Sequence, residues 1–284
     1  MTLVRRHLSG AIGLLLALAT GIALGAGPLS GESLRDVTTA PAAAPSEVDR
    51  GPDADELARA VAPALTEERL QGRSVALLTT PGVEATTVED LTAAIEQSDG
   101  AVAAHWSAGS SLVGAGEKAL VDTLGEQLVD QLEGRGADAD SVAYERMGQL
   151  LGTAIATRES QGLAPGADSQ TIRQSIDAAS LLSQDGGTPR RAPLVLVVLG
   201  DDLDDDVLAG LLEGLASRAA GVVVAGPEGS DDVEVAAGLE TVSTVDGVGG
   251  AVGRLAAVMA LSGVEKEPGG SFGMSGSDGL LPLG

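Results

Sequence analysis

The sequence contains no cysteine, so neither a disulfide framework nor a thiolate metal site is available to it. Aromatic residues are almost missing: Trp106, Tyr144 and Phe272 are the whole complement of a 284-residue chain. A transmembrane β-barrel needs aromatic girdles at both interfaces, so the chain by itself is not expected to form a barrel pore. Positive charge is scarce as well, with 17 Lys and Arg against 41 Asp and Glu and a net charge of −24. Nucleic acid is thereby excluded as a partner, because phosphate binding rests on Lys and Arg neutralising the backbone. The same imbalance argues against docking on anionic lipid headgroups.

What the sequence does have begins at its N-terminus, where Arg5, Arg6 and His7 precede an almost unbroken apolar run from Leu8 to Gly27. A helix of about 20 residues crosses the roughly 30 Å of a bilayer core, so this run is long enough to span. Arginines on its N-terminal side hold that end in the cytoplasm and send the rest of the chain outside. Residues 1–29 are therefore expected to be a cytoplasmic tip and a single transmembrane anchor. A cleaved signal peptide is the competing reading. Its apolar core would end near Leu24, although Ala23-Leu24-Gly25 only approximates a small-residue cleavage site. Both readings place the bulk of the chain outside the cytoplasm. Gly21 and Gly25, four residues apart, offer a small-residue packing face within the run. An exported chain without disulfides must draw its stability from a packed core, and a chain of this length can supply one.

Residues 30–73 read as a Pro, Ala and acid-rich linker with a short helix. Pro41, Pro45 and Pro52 break any continuous helix, and from Asp55 onward Leu57, Val61, Leu65 and Leu70 recur at helical spacing, interrupted by Pro63. That helix is a candidate for pairing with another chain but is too short for a secure coiled coil. The period changes at Ser74. Val75-Ala76-Leu77-Leu78-Thr79-Thr80 is a continuous apolar run of the kind buried on both faces of a sheet, and it stops at Pro81-Gly82.

A helix from Thr86 to about Ser98 and a strand at Ala101–Trp106 follow. Helical patterns near Glu117–Leu132, Ser141–Thr157 and Gln170–Ser183 form a block. Strand patterns then return at Leu194–Leu199, Gly221–Ala225 and Thr241–Val245, with helices at Asp205–Ala219 and Val252–Leu261. Strands alternating with helices imply a mainly parallel sheet covered on both sides. The expected fold is thus one exported α/β domain over 74–264 with a helical lobe inserted at about 114–184. The Gly/Ser-rich residues 265–284 carry no periodicity and read as disordered.

Two segments call for a chemical reading. Asp201-Asp202-Leu203-Asp204-Asp205-Asp206 lies between a buried strand and a helix, where open α/β sheets place ligands. Oxygen-rich sites of this kind hold Ca²⁺ or Mg²⁺, but no calcium-loop spacing is present, and helix capping accounts for the pattern. Asp246-Gly247-Val248-Gly249-Gly250-Ala251-Val252-Gly253 also leads from strand to helix, yet Val252 stands where a dinucleotide loop needs its third glycine. It reads as a tight turn. Glu228-Gly229-Ser230-Asp231-Asp232 reads as a solvated loop. Neither Gly109-Ser110-Ser111 nor Gly270-Ser271-Phe272-Gly273 makes a G-x-S-x-G elbow, and nothing sequential places a serine beside His105. No catalytic or cofactor-binding residues are assigned, and the chain reads as non-enzymatic.

A family resemblance adds to this. The residues Arg5, Arg6 and His7 with the apolar helix and Leu24-Gly25, the run Leu194-Val195-Leu196-Val197-Val198-Leu199-Gly200, and the stretch Gly221-Val222-Val223-Val224-Ala225-Gly226-Pro227 carry part of it. Val242-Ser243-Thr244-Val245-Asp246 leading into Gly253–Leu261 carries the rest, with Ser243-Thr244-Val245-Asp246 the most specific piece. Together they resemble the actinobacterial copper transport family MctB, which includes SteB-like proteins, over nearly the whole chain. The resemblance implies a single-pass protein of the cell membrane with an exported α/β domain. It is linked to copper homeostasis in one branch and, in the other, to cell-wall hydrolysis and division through a SteA-like septal partner. Members share a heptad-rich stretch after the anchor; here Pro41, Pro45 and Pro52 occupy that region.

Copper sets its own chemical demands, since Cu(I) prefers Cys and Met sulfur and Cu(II) prefers imidazole. The chain offers His7, His105 and four dispersed methionines, Met1, Met147, Met259 and Met274. His105 beside Trp106 reads as a structural residue, and copper is expected to be bound weakly at most. Self-association or a protein partner is expected alongside the membrane anchor.

Overall fold

The computed structural model describes residues 51–185 and 189–283. The anchor expected over residues 1–29 and most of the linker lie outside the described residues. Among the described residues, no helix is long and apolar enough to cross a membrane.

Continuous apolar runs become strands at the centre of a sheet. The strands β1 (Ser74–Thr79), β4 (Leu194–Val198) and β5 (Gly221–Ala225) are buried along almost their whole length. Successive side chains of a strand point to opposite faces, so such runs need cover on both. Val75, Leu77, Leu194, Leu196, Val198 and Val223 join one buried cluster. Ala76, Leu78, Val195, Val197, Val222 and Val224 join another. With β2 (Ala101–Ala108), β3 (Leu182–Asp185), β6 (Ser243–Val245) and β7 (Ser271–Phe272), the described residues form a seven-stranded sheet in the order β3-β2-β1-β4-β5-β6-β7. All neighbours pair in parallel except β3, which runs antiparallel to β2. The order turns back between β1 and β4, which makes that junction the topological switch point.

The first face is covered by α2 (Ala85–Gln97), through Leu91 and Ile95, and by α9 (Ala251–Gly263), through Ala256, Ala257, Val258, Ala260 and Leu261. The second face is covered by α3 (Ser110–Val113), α4 (Lys118–Gln131), α5 (Ala143–Ile155), α6 (Ala167–Ala178), α7 (Asp205–Ala216) and α8 (Asp231–Ala237). The helical block after β2 is therefore not a separate lobe. Met147, Leu150 and Ile172 belong to the same buried cluster as Val195 and Val197 of the sheet.

Helices α5 and α7 meet along Gly148 and Gly152 on one side and Gly210 and Gly214 on the other, a four-residue spacing on each helix. A Cβ at Gly148 would lie 3.0 Å from the Gly214 Cα, and one at Gly214 would lie 2.7 Å from the Gln149 N. The two backbones touch. Small-residue packing of this kind was expected only in the apolar N-terminal run; here it joins two helices of the domain.

Three further expectations are corrected. The helix read as Gln170–Ser183 ends at Ala178, and the chain turns into β3, whose Leu-Ser-Gln-Asp sequence owes its strand form to pairing with β2. The loop read at Glu228–Asp232 opens α8, because Val233 and Ala236 bury against the sheet. The tail read as disordered supplies β7, which pairs with β6. Its far side is closed by the chain itself, with the Ser271 N–H donating to Asp278 at 2.8 Å and the Asp278 N–H to the Ser271 carbonyl at 2.9 Å. The buried Asp246 carboxylate fastens the same segment by accepting from the backbone N–H and the hydroxyl of Ser275.

The linker helix, α1 (Gly51–Thr66), starts before the expected Asp55, with Pro52 in its first turn, where a missing N–H leaves no bond unmade. It packs on α9: Ala58 joins Ala251 and Val252 in a small buried cluster.

Candidate functional site

A cleft of about 500 Å³ opens at the carboxyl ends of the parallel strands. That size suits a small ligand or a side chain of a partner. Its walls are mostly turns. Gly82, Val83 and Glu84 follow β1, Leu199 and Gly200 follow β4, Pro227 and Glu228 follow β5, and Gly247 to Gly250 follow β6. Ala54 and Asp55 of α1 close one side, and Met274 of the C-terminal segment closes another.

The turns after β1 and β4 are tied across the switch point. The Gly200 N–H donates to the Thr80 hydroxyl at 2.9 Å and the Asp201 N–H to the Pro81 carbonyl at 2.8 Å. A Cβ at Gly200 would lie 2.5 Å from the Val83 N, and Gly82 has φ +86, so only glycine lets these backbones approach.

The loop expected to be a tight turn after β6 is one. Gly247 has φ +69, and Gly253 has no room for a Cβ against the Gly247 carbonyl. Dinucleotide folds seat a phosphate at the helix N-terminus that follows such a loop. Here the Asp55 carboxylate sits there, accepting from the Val252 N–H at 3.2 Å. Asp55 also faces Arg59 at 3.5 Å. Asp55, Glu84 and Glu228 line the cleft together with the thioether of Met274, and no Lys or Arg is among its lining residues. The walls repel phosphate and admit cationic or neutral groups.

The acidic segment after β4 is absorbed by the start of α7. Asp204 is the N-cap and accepts from the Val207 N–H at 3.2 Å, while Asp205 and Asp206 stand in the positive first turn. Asp232, from the start of α8, accepts from the Leu203 N–H at 3.1 Å. Burial pushes the Asp232 carboxyl above the ordinary range, the Leu203 bond opposes that shift, and Asp202, Asp205 and Asp231 add to it. Among the described residues, no group of three or more His, Asp or Glu side chains is placed to hold a metal ion.

His105 has partners that no sequence motif announced. Its Nδ1 lies 3.0 Å from Asp185 and its Nε2 lies 3.3 Å from the Thr79 hydroxyl. Ser107 donates to Asp185 at 3.3 Å and lies 3.4 Å from Thr79. Strand alternation brings these residues together, since His105 pairs with Asp185 and Ser107 with Thr79 across neighbouring strands. An imidazole between a carboxylate and a hydroxyl is the arrangement of nucleophilic hydrolases. Thr79 is buried, however, and its hydroxyl also reaches the Trp106 carbonyl. The ring of four side chains fastens the edge strand β3 to β2 and β1. On the opposite face, Arg173 stacks over Trp106 at 4.9 Å and donates to the Ala154 carbonyl at 2.6 Å, at the end of α5. Burial and then the nearby Arg191 lower the Arg173 guanidinium to about 10.

Of the methionines, Met147 is buried in the core of the second face, Met259 is buried on α9 and Met274 alone reaches the cleft; Met1 and His7 lie outside the described residues. A sequence motif could not have found this cleft, because it is assembled from turns after four strands and from both ends of the domain. None of the curated proteins compared matches the chain. The family model described as "Copper transport outer membrane protein, MctB" matches residues 1–282, a family of copper transport at the envelope and not one of enzymes. Since that match runs through the apolar N-terminal run, the sheet, the cleft and the C-terminal segment alike, the chain belongs to the MctB family.

Proposed function

We propose that this protein serves copper transport or homeostasis at the cell envelope as a membrane-anchored body, without a dedicated high-affinity copper centre of its own. The family match over residues 1–282 carries this reading. The donor set supports its second half. Cu(I) seeks sulfur and Cu(II) imidazole, but the chain has no cysteine. Both ring nitrogens of His105 are already engaged, and Met147 and Met259 are buried. Residues 1–29 act in this proposal as a single-pass anchor with a cytoplasmic N-terminus, and the α/β domain over 74–264 lies outside the membrane.

A second reading is favoured by the cleft, whose carboxylates, glycine backbone and apolar floor suit a segment of a partner protein better than a copper ion. In it the domain is a SteB-like interaction module that couples a SteA-like partner to cell-wall hydrolysis and division.

Cell-associated copper measured in a deletion strain and its complemented parent, across a copper titration and with septum spacing scored in the same cultures, separates the two. Copper accumulation reversed by the full chain is the expected result. Unchanged copper with misplaced septa would overturn it in favour of the interaction module.

A further inference from the structure

We propose that α1 is a latch over the cleft, released as a unit while the rest of the domain stays folded. The buried cluster it shares with the start of α9 is small. Ala58 meets Ala251 and Val252, with Ala54 and Met274 partly buried around them, in a cluster separate from the cores on either face of the sheet. Alanine methyls remove little apolar surface from water, so the hold they give is slight.

The polar fastening is equally sparse. It is the bond from the Val252 N–H to Asp55, whose side chain remains 25% exposed. On the outer side of α1, Leu57 is exposed, and Pro63 within the helix removes one of its internal bonds. A helix of 16 residues within a protein draws most of its stability from the packing of its apolar face.

Helix α9 does not need α1 to stay in place. Ala256, Ala257, Val258, Ala260 and Leu261 bury it against the sheet from its second turn onward. Because Ala54 and Asp55 line the cleft, release of α1 widens it and frees the first-turn amides of α9 at the same moment. The chain before α1 contains the proposed anchor, so a partner or a pull acting on that segment reaches α1 first and sets access to the cleft. This consequence builds on the second reading above, in which the cleft takes a partner segment, whereas the labelling experiment below reads α1 alone, whatever the cargo.

The chain has no native cysteine, so single introduced thiols report cleanly. Ala58→Cys lies buried on α1 outside the cleft lining, and Val258→Cys lies under the body of α9 as a control. In the full-length protein under native conditions, maleimide is expected to label position 58 at least about tenfold faster than position 258. Adding Asp55→Ala is expected to speed labelling at 58 by about a further tenfold and leave 258 unchanged, as loss of a helix cap dictates. Equal rates at the two positions, or no response to Asp55→Ala, would overturn the proposal. Should either cysteine variant fail to fold, amide exchange of the unaltered protein decides. Exchange of α1 together with the first turn of α9, ahead of the second half of α9, supports the latch, and exchange of α1 no faster than that second half overturns it.

Discussion

Helices α5 and α7 meet glycine to glycine, whereas α1 and α9 meet largely through alanine. In the first pair the backbones touch at Gly148 and Gly214, and large side chains such as Met147, Leu150, Leu212 and Leu215 flank the crossing in a shared core. In the second pair the shared buried cluster is Ala58, Ala251 and Val252, with one capping bond beside it. Small residues at an interface therefore fix nothing by themselves. They set how closely two helices approach, and the flanking side chains decide how firmly the pair is held.

The largest effect is expected from Gly214→Val. Its branched side chain would run into the backbone of Gln149 and Glu145, and urea denaturation should show a loss of about 3 kcal/mol or more. Ala58→Val in the other pair should cost under about 1 kcal/mol, because α1 can shift; equal losses for the two would erase the contrast.

Next comes Arg146→Ala. The buried Arg146 guanidinium donates to Asp122 at 3.0 Å and to the Ser141 carbonyl at 2.7 Å, joining α4 to α5. Removing it should cost about 2 to 3 kcal/mol, since charged hydrogen bonds are lost and their acceptors are left behind. A loss below about 1 kcal/mol would mean that this layer owes its firmness to the glycine crossing alone.

Asp55→Ala should lower midpoint stability by about 1 kcal/mol or less while raising exchange in α1 far more, the mark of a cap whose loss is felt locally.

The smallest effect concerns Asp232, at the junction of α7 and α8. A carboxyl whose pKa is raised in the folded state adds stability that is fully present below the ordinary carboxylate range and lost as pH rises through its folded value. Asp232→Asn keeps an acceptor for the Leu203 N–H and removes that loss. Its stability relative to the unaltered protein should therefore rise between pH 4 and pH 7; a flat or falling difference would show that the charged form is well accommodated.

The centre of the fold was legible in the sequence because β1, β4 and β5 must be apolar at every position, and the runs at Val75, Leu194 and Val222 show it. Amphipathic helices such as Lys118–Gln131 were legible for the same reason. The margins were not. Leu182–Asp185 has no strand pattern of its own and is held by the neighbouring β2 and the His105–Asp185 pair. Ser271–Phe272 is too short to carry a period and depends on Asp246 and Asp278. The partners of His105 come from two other strands, so no spacing along the chain announces them. Methionine spacing likewise gave no sign that Met274 is the one at the cleft, because the pairing of β7 with β6 and the bonds from Ser275 to Asp246 hold it there.

Met274 and Ala54, near opposite ends of the described chain, pack on the same small cluster beside the cleft. A ribosome delivers Ala54 before any strand of the sheet and Met274 after all seven, so the two sides of the cleft are separated in time by the synthesis of the whole sheet. The sheet can assemble from β1 to β6 while the cleft still lacks a wall. A chain truncated before Ser271 would thus keep most of its core and lose one wall of this cleft.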